Sequence, residues 1–275
     1  MWIFNSALNK VFEILFLPVR GMSPWVAMVL VSLLTSFLML FIFRHTSNQA
    51  GIRKEKNRIK AHLLELRLFK DNMGVQLKAQ GRILLANFKY VGHNMKPMLV
   101  MLVPVLLVLI RLNLWFGSES LKPGDPVLVK VRLAEGKYPS EVPAALAASA
   151  ELDIETPPLR IEDEAEIDWR LRAKTAGPGR LTLTVGGETV VKSASVGTTR
   201  LSPIPALKPG RNLLDQVFNP GEAPLPSSSV VRSVEVRYPS ASMSLFGWHI
   251  HWLIVYFVLS IAFGFAFKGL FKVEI

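Results

Sequence analysis

An α-helical integral membrane protein with an extracytoplasmic β-sandwich (Ig-like) domain between its second and third spans is the architecture this chain predicts. Three stretches, 25–43, 98–116 and 248–267, are continuously apolar over about 19 or 20 residues. At ~1.5 Å per helical residue that length crosses a ~30 Å hydrocarbon core. Arg111 is the only charged residue within them. Residues 44–96 are strongly basic, and residues 117–247 alternate apolar and polar residues in short runs.

The net charge of +11 is concentrated. Residues 44–96 hold about twelve basic residues against Glu55, Glu65 and Asp71, while residues 117–247 hold about fifteen basic and sixteen acidic ones. Short loops rich in Lys and Arg stay in the cytoplasm. The N-terminus is therefore expected outside and the C-terminus inside, which places Trp25, Trp115, Trp248 and Trp252 together at the outer interface, where indole prefers to sit. The basic excess is explained by this topology without sequence-specific nucleic acid. The first twenty residues lack a basic n-region and a cleavage site, so no secretory signal is expected. With no cysteine, disulfides and thiolate chemistry are excluded.

The expected order begins with an extracytoplasmic amphipathic helix in residues 1–21. Phe4, Leu8, Val11, Phe12 and Leu15 recur at helical spacing, Asn5, Asn9 and Glu13 lie elsewhere on the wheel, and Pro18 with Gly21 ends it. Ser23-Pro24 supplies an N-cap and an N1 proline for a first span in residues 22–43. Residues 44–96 read as a cytoplasmic antiparallel coiled-coil hairpin. Ile52, Ile59, Leu66 and Met73 are spaced by seven with Leu63 and Phe69 between them; a turn at 71–74 leads to a second helix through Leu77, Ile83, Leu84, Phe88 and Val91. A second span covers 97–116, the outer domain 117–247, and a third span with a short cytoplasmic tail 248–275.

Within the outer domain, Val127, Val129, Val131 and Leu133 alternate with polar residues, as do Ile167, Trp169, Leu171 and Ala173, then Leu181, Leu183 and Val185, and finally Val234, Val236 and Tyr238. Gly186-Gly187 offers a hairpin turn. The acidic run Glu162-Asp163-Glu164, with Glu166 and Asp168, is expected as a solvated strand edge in preference to a Ca²⁺ or acid/base site. The five histidines are scattered, so no metal site or cofactor is expected. Phosphate-loop, zinc-protease and nucleophile-elbow motifs are absent, and no enzyme is expected.

This order of elements resembles the YidC/Oxa/Alb insertase superfamily. The residues that carry the resemblance are Asn5-Ser6-Ala7-Leu8-Asn9-Lys10, the run Phe43-Arg44-His45-Thr46-Ser47-Asn48-Gln49, and Trp248-His249-Ile250-His251-Trp252 through Gly264 to Lys268-Gly269. The wording is closest to uncharacterised prokaryotic relatives and to the third subunit of the endoplasmic-reticulum membrane protein complex. The resemblance covers about residues 2–116 and 247–275. It implies nucleotide-independent insertion of hydrophobic client polypeptides in a prokaryotic plasma (inner) membrane. Membrane lipids are implied partners, with a ribosome or other membrane subunits as further contacts. The chain departs from the pattern twice: similar bacterial insertases place their intramembrane Arg in the first core span, and they lack a domain like 117–247.

An arginine deep in a span costs ~2.5–3.5 kcal/mol on insertion scales, so it faces protein, water or a headgroup. Arg111 lies ~21 Å along the helix from the cytoplasmic end. Two placements stay open for it: a hydrophilic client groove, or snorkelling towards the interface near Trp115. Ser32, Thr35 and Ser36 share a face of the first span, as do Tyr256, Ser260 and Gly264 on the third; they either glue helices or line that groove. Met95, Met98 and Met101 recur every three residues where the hairpin meets the membrane and suit the mouth at which a client arrives, or are boundary filler. Arg53, Lys54, Lys56, Arg58 and Lys60 form a basic hairpin surface. A structural or sensory membrane protein whose outer domain binds a ligand or partner is the alternative.

Overall fold

The computed structural model describes residues 2–197, 201–245 and 247–273. The chain forms helices and antiparallel β-sheets in two compact units, one of Met1–Met28 with Leu109–Val255 and one of Val29–Val108 with Tyr256–Ile275.

Helix α1 (Trp2–Phe16) buries Asn5, Phe12 and Phe16, and a 3₁₀ turn with Pro18 at its centre, Leu17–Val19, follows it. α2 (Pro24–Thr46) opens on a proline, whose missing N–H would be unpaired at that position anyway. It runs three residues beyond the expected end of the first span. Thr46 Oγ1 and His45 Nδ1 each bond the carbonyl four residues back, at 2.8 Å, so the polar exit stays helical. α3 (Gln49–Leu68) is capped by the Asn48 side chain, which accepts the Gly51 N–H at 2.9 Å. α4 (Met73–Phe116) is one helix of 44 residues. The second hairpin helix and the second span are thus continuous across the 96/97 boundary. Pro97 and Pro104 each remove a single donor, and the hydrogen-bond ladder resumes on both sides. α2 and α4 are long and apolar enough to cross a membrane.

On α3 the expected heptad residues Ile52, Ile59 and Leu66 are buried or half-buried, but most other residues of the expected seam are not. α3 buries Ile52 and Glu55, and α4 turns Ala79 and Ala86 inward. Leu63, Phe69, Met73, Leu77, Leu84, Phe88 and Val91 are exposed instead. Ala79 and Ala86 are seven apart and so share one face of α4, which leaves the opposite, leucine-bearing face outward.

The sheets lie in the first unit. One sheet has the order β3 (Leu152–Ile154), β5 (Glu166–Ala173), β1 (Pro126–Leu133), β9 (Val231–Val236), β8 (Leu207–Lys208), with β4 (Leu159–Ile161) also pairing β5. The other has β2 (Ala144–Ala148), β6 (Gly177–Val185) and β7 (Glu188–Val196). Alternate residues of β1, β5, β6, β7 and β9 share one apolar core with Trp169 among its largest members. β6 and β7 are joined by Gly186 and Gly187 at φ +59° and +83°, a left-handed pair that a two-residue hairpin needs and glycine adopts without strain. The Tyr238 hydroxyl, after β9, accepts the Ser195 N–H of β7 at 3.0 Å, and burial pushes its pKa up to about 12.

After α5 (Leu213–Phe218), the chain forms a small hairpin of β10 (Met243–Leu245) and β11 (Trp248–Ile250) turned by Gly247 at φ +86°. The third apolar helix, α6 (Trp252–Phe267), therefore starts four residues later than expected and has 16 residues. Pairing of Trp248 with Leu245 holds the first part of the predicted span in strand geometry.

Candidate functional site

Arg111 is neither in an open groove nor snorkelling. It is 1% exposed, and its guanidinium donates to Asn5 Oδ1 at 2.8 Å and to Asn9 Oδ1 at 3.1 Å. Asn5 and Asn9 are four apart, so α1 aims both amides at one point. Each amide then donates its own N–H outward, Asn5 Nδ2 to the Gln216 carbonyl at 2.9 Å and Asn9 Nδ2 to the Pro220 carbonyl at 2.8 Å. The two asparagines thus bridge α4 to the backbone around α5. Charge-assisted hydrogen bonds contribute ~1.5–3 kcal/mol each, enough to offset much of the cost of the buried cation. Among the described residues Arg111 Nε has no hydrogen-bond partner. Phe16 closes the same face of α1 on Trp115, ring centroids 4.8 Å apart, and Arg20 lies 5.3 Å from the Trp115 ring. The sequence signal for this node is the four-residue spacing of the two asparagines on α1, which by itself indicates only a polar face of the wheel.

In the second unit, α2, α4 and α6 line an open-sided cavity of about 330 Å³. Thr35, Ser36, Tyr256 and Ser260 line it together with Met39, Phe43, Met101 and Gly264. Four of the residues expected in the groove are brought together there, without Arg111. Ser36 Oγ lies 2.7 Å from the Ser32 carbonyl and 2.9 Å from the Ser260 carbonyl and shares its one proton between them, tying α2 to α6. Ser36 is thus both helix glue and wall. Ser32 is fully buried outside the lining, and among the described residues its hydroxyl has no hydrogen-bond partner. The walls are mainly apolar, with the hydroxyls as their polar points.

No protein-family model, curated protein or solved structure matches this chain.

The three methionines are not brought together. Met101 lines the cavity, whereas Met95 and Met98 stand on the exposed face of α4. The cause is geometric: steps of three residues turn 300° each, so the row drifts around a straight helix. Arg53, Lys54, Arg58 and Lys60 of the basic surface are exposed and Lys56 is half-buried. Arg58 pairs with the buried Glu55 at 2.9 Å. Arg53 and Lys54 open onto a cleft shared with Lys268 and Lys272.

Of the acidic stretch, Glu162, Asp163 and Glu164 are exposed as expected, but the two residues within the sheet are not. β5 is an interior strand, so Glu166 and Asp168 are buried instead of solvated. Register places Asp168 opposite Lys130 and Glu166 opposite Arg132 on β1. Glu166 accepts from Lys130 Nζ and from Arg132 Nε, each at 2.6 Å. Burial pushes the Glu166 carboxyl up, but the bonds from Lys130 and Arg132 outweigh it and hold it below the usual range. Burial drives Asp168 upward. In β7, Lys192 is fully buried against Glu222 at 2.8 Å, and burial lowers its pKa. Among the described residues no group of His, Asp and Glu could hold a metal ion.

Proposed function

We propose that this protein is a membrane protein insertase of the YidC type, working without nucleotide in a prokaryotic plasma membrane. On this reading α2, α4 and α6 are three spans, the α3–α4 hairpin is cytoplasmic, and the sheets form an extracytoplasmic Ig-like sandwich. The observation that carries the proposal is the cavity lined by Thr35, Ser36, Met101, Tyr256 and Ser260. With the hairpin inside, Met101, Met39 and Phe43 lie towards its cytoplasmic end and Tyr256 towards the membrane middle. An apolar client segment would pack on the flexible thioethers, while the hydroxyls would pair with polar groups on its flank. Partitioning of the segment into lipid would supply the driving force.

The length of α6 adds to this reading. Sixteen residues span ~24 Å, about 6 Å less than a typical hydrocarbon core. A short span thins the bilayer beside it and shortens the path of a polar flank. Arg111, closed off by Asn5 and Asn9, would act as the fastener of α1 and not as a client contact.

The test is reconstitution into liposomes with a short-tailed, single-span client. Ser260→Leu with Gly264→Leu fills the cavity; a side chain at Gly264 meets nothing within 4 Å, so the helix should tolerate it. Insertion should fall roughly tenfold or more, equivalent to ~1.4 kcal/mol in barrier. Parent-level insertion by this variant would end the proposal.

A second reading, a structural or sensory protein whose outer domain binds a ligand or partner, is favoured by one observation. The Gln216 and Pro220 carbonyls are tied through Asn5 and Asn9 to Arg111. Replacing residues 121–240 with a short linker should spare insertion under the first reading and abolish function under the second.

A further inference from the structure

Where α3 begins and the chain leaves α6, the second unit holds a cleft of about 770 Å³. Arg53 and Lys54 line it from α3, and Lys268 and Lys272 from the tail, with Gln49 and Asn57 between them. Among the described residues no acidic one lines it. Among the described residues, none of these four cations is within ion-pair distance of a carboxylate, although Arg58, Arg82 and His62 in the same hairpin each are. Four like charges gathered around one opening raise each other's energy unless an anion enters.

The tail adds an independent observation. The Val273 N–H returns to the Lys268 carbonyl and the Lys272 N–H to that of Gly269, both at 3.1 Å, a helix-ending motif that puts residue 272 in the left-handed region. Glycine is the unstrained choice there, yet the residue is Lys272 at φ +52°. The chain accepts backbone strain at a position that contributes a cation to the cleft. Buried Val273 anchors the turn. Beside the cations, Phe265 and Leu270 are exposed, and Lys268 Nζ lies 5.3 Å from the Phe265 ring.

We propose that this cleft binds the phosphate of an anionic phospholipid headgroup at the cytoplasmic leaflet. Free phosphate would use the cations alone. A lipid also uses the exposed Phe265 and Leu270 for its acyl chains, and the juncture of α6 with the hairpin lies at headgroup level in the proposed topology. The inference rests on that topology and not on insertion activity, so lipid binding and client insertion can fail separately.

The test uses the full chain reconstituted in vesicles of phosphatidylcholine with a minor fraction of phosphatidylglycerol, extracted gently and weighed by native mass spectrometry. The parent should retain one phosphatidylglycerol in preference to phosphatidylcholine. Arg53→Gln, Lys54→Gln, Lys268→Gln and Lys272→Gln together should lower that preference by roughly two orders of magnitude. A control with the same change in net charge, Arg67→Gln, Lys70→Gln, Lys78→Gln and Lys89→Gln, should keep it. Equal loss in the control would reduce the effect to bulk charge and overturn the site. Displacement of the retained lipid by millimolar inorganic phosphate would assign the cleft to free phosphate and overturn the lipid.

Discussion

In the unit that carries the sheets, Arg111, Lys130 and Lys192 are almost wholly buried, and each is held by oxygen acceptors. In the hairpin unit, Arg53, Lys54, Lys78 and Lys89 stand exposed, and among the described residues none pairs with a carboxylate. The two populations are chemically alike and physically opposite. A buried cation must have its acceptors in place to offset its desolvation, so it depends on one geometry. An exposed cation contributes little to any one contact, but its charge sums with its neighbours into a field that orients the chain and attracts anions.

If that contrast is right, the sharpest break should come from removing an acceptor in the sheet. Glu166→Leu strands Lys130 beside Asp168 and takes away the carboxylate that Arg132 also uses. Breaking a buried pair from one side costs ~3–5 kcal/mol, which thermal unfolding in detergent would register as a large fall in Tm. The pH dependence has a definite sign. Glu166 titrates lower in the folded state, so its contribution is complete above its ordinary value of 4.5 and drains away as pH falls through the folded one. Asp168 is raised, so its contribution is present below its ordinary value of 3.8 and lost as pH rises through the folded one. Glu166→Gln should flatten the acid limb of the parent's stability curve; an unchanged limb would mean the carboxylate is already solvated.

A smaller effect is expected at the Arg111 node. Asn5→Ala with Asn9→Ala leaves the guanidinium buried without its two side-chain acceptors and frees the Gln216 and Pro220 carbonyls. The loss should be ~2–4 kcal/mol, concentrated on α1, because charged hydrogen bonds contribute ~1.5–3 kcal/mol each and water replaces part of them. Hydrogen exchange across residues 2–16 reports it directly. Protection equal to the parent's would show that Phe12, Phe16 and Trp115 hold α1 without the asparagines.

The same two populations explain what could be read in advance. Alternation in Val127–Leu133 and Ile167–Ala173 reveals strands because one face enters an apolar core, and α2 and α4 reveal themselves by uninterrupted apolar length. Thr35, Ser36, Tyr256 and Ser260 were legible as two helix faces, since polar groups at helical spacing in an apolar segment need a common neighbour. What escaped depended on a distant partner. Glu166 and Asp168 look solvated until β1 places Lys130 and Arg132 opposite them. Arg111 looks like a groove charge until Asn5 and Asn9, over a hundred residues earlier, supply its acceptors. The methionine row failed for a local reason, helical drift, which the spacing itself contained. Trp248 read as the start of a span because β10, its pairing partner, begins only five residues before it and carries little signal of its own.

The smallest change in stability, with the largest change in orientation, should come from the exposed cations. Lys54, Lys60, Lys78 and Lys89 changed together to Gln touch no buried group, so unfolding should shift by no more than ~0.5 kcal/mol per site. Orientation depends on the local number of Lys and Arg, and this change removes four of the about twelve in residues 44–96. The chain has no cysteine, so a single Cys introduced at Ser47 gives a clean reading with a membrane-impermeant thiol reagent. In the parent it should be labelled only after the membrane is opened; in the variant a fraction should label from outside. A variant that melts early but keeps its orientation would reverse the assignment, making these lysines structural and leaving the apolar segments to set the topology.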